Sequence, residues 1–194
     1  MRRSTRSRSL FRRAATVAAT IMVLPGAADA GMIRVAPPFE DVSYADIVVI
    51  GRVENYRIVR DQAWRDRMLS SPGLSAEERE RYQDPERQIL SDYARFDVQV
   101  DEVVVGQAAE TLAVTWHNST FGVPDQLPQG RYLIALRRPG APDPPLRGPS
   151  GTVFPAPDPD ALVLLQAPCS SPFLYQIGSD EARTILEILE AEEK

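Results

Sequence analysis

From Arg95 to Gly106 the chain alternates, with Phe96, Val98 and Val100 set against Arg95, Asp97 and Gln99. It then loses step at Asp101-Glu102 before Val103 and Val105 resume. A period of two puts the apolar set on one face of an extended strand. One extra residue in the middle of such a strand is a β-bulge, which bends it and tightens its twist. A long strand coiled in this way points to a sheet that curls into a barrel rather than one that lies flat.

The rest of the chain is read around that strand. Upstream, Asp46-Ile-Val-Val-Ile-Gly-Arg-Val53 is a β-branched run that favours a strand, and Gly51 within it marks a bulge or sharp bend. Downstream, Leu112, Val114 and Trp116 alternate with Thr111, Ala113 and Thr115 to give a third strand. Gly130 opens a fourth, Arg131-Tyr-Leu-Ile-Ala-Leu136, apolar on both faces and therefore central. Residues 139–159 hold eight of the seventeen prolines, too many for regular structure, and are expected to form an exposed loop. Ala161-Leu-Val-Leu-Leu165 supplies a fifth strand.

Two helical regions stand out. At the C-terminal end Ser179 can cap a helix whose Ala182, Ile185, Leu186 and Leu189 recur at i, i+3, i+4 and i+7, a stripe suited to packing on the barrel. Residues 60–92, between the first two strands, are too long for a hairpin loop. Ser75 and Glu78 form a capping-box pattern for a short helix from Ala76 to about Tyr82, and Trp64, Met68 and Leu69 suggest a helical turn before it. The insertion is read either as a solvated lid on the barrel or as an excursion that binds a partner. The expected fold is mainly β, a five-stranded OB-like barrel with a C-terminal helix and a helical insertion between strands one and two.

The first thirty residues bear on the compartment. Six arginines precede an apolar stretch from Ala14 to Leu24, followed by Ala28-Asp29-Ala30. This is the order of a secretory signal cleaved before Gly31, and the apolar run is too short to span a bilayer. Residues 31–194 are then one domain, periplasmic or secreted, with no membrane span. Six of the 22 basic residues and one of the 27 acids, Asp29, lie before Gly31, so the remainder carries 16 basic and 26 acidic residues, a formal charge of −10. A chain so acidic is a poor match for a phosphate backbone, and nucleic acid is not an expected partner. Cys169 is the only cysteine, so no internal disulfide is possible and apolar burial must hold the fold. It is read as a small buried hydrophobe or as a reactive thiol.

The runs Ala45–Val53, Phe96–Gly106, Leu112–Trp116 and Gly130–Leu136 together resemble the netrin-like domain typified by tissue inhibitors of metalloproteinases and their bacterial secreted relatives. Cys169-Ser-Ser-Pro-Phe falls near a late cysteine of that family, and the resemblance covers roughly Ser43 to Leu189. It implies an OB-type barrel closed by a helix. Inhibitors of the family chelate a target zinc through an amino-terminal cysteine. Gly31 stands at the expected terminus here, so that mechanism does not carry over, nor do the family's disulfides.

Few residues offer chemistry. One histidine and one cysteine, 52 positions apart, exclude a structural zinc site, and no cofactor is expected. Asp101-Glu102 and Glu77-Glu78 read as solvated charges. His117 is read as an exposed strand-end residue facing away from Trp116, with no G-x-S-x-G elbow or placed acid to make a triad. Trp116, near Phe121, is either core or an aromatic ligand platform. The sequon Asn118-Ser119-Thr120 is given no weight behind a bacterial-looking signal. Trp116 and His117 are the candidate binding residues. The chain is expected to be an exported, noncatalytic binding module for an envelope protein or surface component. The alternative is an envelope enzyme or protease-inhibitor-like protein working through His117 and acidic residues.

Overall fold

A computed structural model describes residues 36–117, 122–146, 153–168 and 170–192. The expected signal segment, the sequon, Phe121 and Cys169 lie outside the described residues. Six strands form, β1 (Ile47–Val59), β2 (Tyr93–Val105), β3 (Thr111–Trp116), β4 (Arg131–Arg137), β5 (Leu162–Leu164) and β6 (Leu174–Gln176). Three helices accompany them, α1 (Gln62–Leu69), α2 (Ala76–Gln83) and α3 (Asp180–Glu192), after a 3-10 turn at Phe39–Tyr44.

The sheet runs β1-β2-β3-β5-β4, and a second β1–β4 pairing closes it into a five-stranded barrel. All pairs are antiparallel except β3 with β5, which is parallel. This mixed barrel, with α3 behind it and α1 and α2 between the first two strands, is the OB-like architecture expected from the sequence. The sixth strand was not anticipated. Three residues long, it pairs outside the barrel with Tyr132, Leu133 and Ile134 of β4.

The bulge expected at Asp101 is present. Ile50 pairs with Glu102 and Gly51 with Val100, leaving Asp101 as the extra residue, and a second shift skips Val104. Gly51 lies at this step for a steric reason, because a Cβ there would sit 2.5 Å from the Gln99 carbonyl oxygen. Replacing Gly51 with alanine is therefore expected to cost about 2 kcal/mol of stability through overpacking, read from the urea midpoint. Asp101 takes up its position by accepting bonds from Arg52 (2.8 Å) on β1 and Arg131 (2.7 Å) on β4.

Apolar residues on both faces of β1 and β4 build two cores. Ile47, Val49, Ile134 and Leu136 point into the barrel with Phe96, Val98, Val114 and Trp116. Val48, Ile50, Leu133 and Ala135 point outward, where Ala182, Ile185 and Leu189 of α3 cover them with Val42 and Phe173. Each Ile or Leu so buried contributes about 2 kcal/mol. Ser179 caps the helix as expected, its Oγ accepting from the Ala182 N–H at 3.1 Å. Among the described residues no helix is long and apolar enough to cross a membrane.

Candidate functional site

A cleft of about 600 Å³ opens at the end of the barrel where β1 stops and β2 starts. One wall is the 60–92 insertion, with Trp64 and Arg67 of α1 and Leu90 just before β2. The opposite wall is the proline-rich loop between β4 and β5, through Phe154, Pro155 and Pro157, and His117 borders the cleft at the end of β3.

The insertion wall is fixed by a buried carboxylate. Asp92 precedes β2 on the same parity as the inward residues Ala94, Phe96 and Val98, so its side chain turns inward. Arg65 meets it with two parallel bonds, Nη1 to Oδ1 at 2.8 Å and Nη2 to Oδ2 at 2.9 Å. Arg60 Nη1 donates at 3.1 Å, and the backbone N–H groups of Asp61 and Ile89 donate at 2.8 and 3.0 Å. Burial alone would push the Asp92 pKa up, but these donors outweigh it and hold the carboxyl below its ordinary range. Arg65 also donates to the Arg87 carbonyl at 2.8 Å, so the two ends of the insertion close on each other. This largely polar segment is thus organised around a buried ion pair.

Local capping sets the helices on this frame. Asp61 Oδ1 accepts from the Trp64 N–H at 2.9 Å and starts α1. The expected capping box starts α2, with the Ser75 hydroxyl and the Glu78 carboxylate bonded reciprocally to backbone. Gln88 reaches the segment after β3, giving and taking bonds at the Val123 backbone (2.9 and 3.2 Å). The opposite wall is tied to the barrel by an ion pair between Arg95 of β2 and Asp158.

Between these walls Trp64 meets Phe154 edge-on at 5.9 Å, and the Arg67 guanidinium lies over the indole at 5.3 Å. His117 was expected to be exposed, and the structure corrects this: it is only 7% exposed. The face of β3 opposite Trp116 is itself covered, for Thr115 is buried and its hydroxyl donates to the Leu162 carbonyl at 3.3 Å. The ring nitrogens of His117 and the Ser91 hydroxyl on the same cleft are closed to solvent, the hydroxyl without a hydrogen-bond partner among the described residues. Burial first, then the charge of Arg137, pushes the imidazole pKa from 6.5 down to about 4, opposed by a hydrogen bond with the Phe154 backbone. The ring is neutral at pH 7, one nitrogen a donor and the other an acceptor.

Trp116, the other candidate, is 4% exposed in the barrel core, where its indole N–H donates to Gln166 Oε1 at 2.6 Å. It borders a separate, smaller cleft of about 370 Å³ with Val123, Pro124 and Tyr175, so the structure does not bring it together with His117. Of the nearby acids, Asp61 caps α1 and Asp92 is taken by Arg65, leaving neither placed to orient His117 as a base. Among the described residues no three His, Cys, Asp or Glu side chains converge to hold a metal ion.

The fold and site together define an OB-like barrel with a ligand-sized, aromatic-walled cleft between its β1–β2 insertion and its β4–β5 loop. No family model matches the chain, and no curated protein is similar to it in sequence.

Proposed function

We propose that the protein is an exported, noncatalytic binding module of the bacterial envelope, periplasmic or secreted, and that this cleft is where its ligand sits. The observation that carries the reading is the anchoring of both walls, one by the Asp92 cluster and the other by the Arg95–Asp158 pair. A fixed, largely apolar concavity with a few polar groups is the usual form of a binding site. OB-type barrels also bind through the loops that flank this end, which adds an argument from analogy. The signal-like first thirty residues support export. The netrin-like resemblance belongs to the same reading, supported by the barrel with its closing helix.

Site-specific photo-crosslinking tests it. Leu90 is 43% exposed at the cleft, whereas Val103 is 41% exposed and pairs with Val49 at the far end of the β1–β2 ladder. A benzophenone side chain at Leu90 is expected to capture a discrete envelope component that the same group at Val103 does not. Identical products from both positions, or none from Leu90, would remove the cleft as the binding site.

A further inference from the structure

We infer that the exposed ridge at Pro142 and Pro145, on the loop that follows β4, is a polyproline II ligand taken by a partner protein whose groove is lined with aromatic side chains. The inference does not depend on what the cleft holds. The segment has little choice of backbone. Pro142, Pro144 and Pro145 each fix their own φ, and each also confines the residue before it to extended or polyproline II conformation, so Ala141 and Asp143 are restricted as well. Burial along the segment follows the three-residue turn of that helix. Half-buried Ala141 and buried Pro144 face the protein, whereas Pro142 and Pro145, also three apart, face solvent. Leu146 beside them is 47% exposed.

The fold presents this ridge ready-made. The Ala141 N–H donates to the Arg138 carbonyl at 3.1 Å across Pro139-Gly140, and Gly140 has φ +79°, the positive value that the third residue of a type II turn requires. Beyond the turn the buried Arg137 guanidinium holds the segment from beneath, Nη1 donating to the Ala141 carbonyl at 2.6 Å and Nη2 pairing with the Asp143 carboxylate. Asp143 carries the one charge of residues 139–146, so the pair leaves an apolar ridge facing outward. A polyproline II segment makes no internal hydrogen bonds, which leaves its carbonyls for a partner's donors, and a segment already fixed in its bound conformation loses little entropy on binding. Prolines three apart on such a segment are what aromatic-lined grooves recognise. Pro155, Pro157 and Pro159 are exposed too, but at every second residue, which does not make one face of a three-residue turn.

The nitrogen-15-labelled protein would be titrated with isolated SH3 and WW domains, which read proline-rich segments through aromatic grooves, and with the same domains after their groove aromatics are replaced by alanine. The Asp143 and Leu146 amide signals are expected to move saturably with the intact domains and not with the altered ones. Affinity should fall about ten-fold when Pro142→Ala and Pro145→Ala are combined, and stay within about two-fold when Pro155→Ala and Pro159→Ala are combined. Both double variants keep Asp143 and its Arg137 partner, so the loop stays attached to the barrel. Signals that move with no intact domain, or equally with the altered domains, overturn the inference. Equal losses from the two pairs of prolines overturn it as well.

Discussion

Replacing Asp92 with alanine is expected to lower the free energy of unfolding by about 3–5 kcal/mol, the range seen when one partner of a buried ion pair is removed. The loss does not equal the worth of the pair. It comes from leaving the Arg65 guanidinium, 3% exposed, inside the protein without its carboxylate, and from releasing the backbone N–H groups of Asp61 and Ile89. Asp92→Asn keeps the volume and an acceptor but not the charge, and should cost less than the alanine. Pairing Asp92→Ala with Arg65→Met, which removes the stranded cation as well, should recover part of the loss. Urea unfolding of the four proteins measures these differences. A single-mutant loss under about 1 kcal/mol would mean that the insertion is not pinned by this carboxylate.

The same substitution separates fold from function. Asp92 is the residue immediately before β2, while Arg60 and Asp61 follow directly on β1. Its five donors therefore clamp the two ends of the insertion at the point where they leave the barrel. Without the clamp, α1 has few apolar contacts to hold it in place, and Trp64 leaves the cleft with it. Ligand capture should then fall even where enough folded barrel remains, and limited proteolysis should cut first within residues 60–92.

How much of this was legible in the sequence follows from the range of the interactions. Strands β2 and β3 declare themselves by period two, and the Asp101 bulge by a break in that period, because both signals lie within one strand. Ser75 and Ser179 are local in the same way, each bonding a backbone N–H three residues on. The short β6 carries no such signal; it exists because β4 offers it an edge some forty residues away in sequence. The buried pair spans 27 positions and joins two residue types that usually stay in water, so composition argued against it. One clue was nevertheless available. Asp92 continues the inward parity of Ala94, Phe96 and Val98, and a carboxylate on a core-facing position demands a cation. His117 was misplaced because alternation shows which face a residue takes but not what covers that face. Here His117 shares its cleft with residues 154–157 and with the insertion, both distant in sequence.

Acidification should expose the state of His117 directly. The folded ring has a pKa of about 4 against an ordinary 6.5, so between those values the unfolded chain binds a proton that the folded one refuses. Stability should therefore decline as the pH falls from 6.5 toward 4, by about 3 kcal/mol in all at roughly 1.4 kcal/mol per unit. Below about pH 4 this contribution levels off because the folded ring is protonated as well. Asp92 works in a different window. Its carboxyl is held below the ordinary 3.8, so the stability it adds is present above that value and is lost only as the pH falls further, through its folded pKa. Urea unfolding at pH 7, 5.5 and 4.5 isolates the histidine, since His117→Gln should flatten the slope across that range while leaving the steeper loss in stronger acid. An unchanged slope in His117→Gln would mean that the ring charges freely in the folded protein.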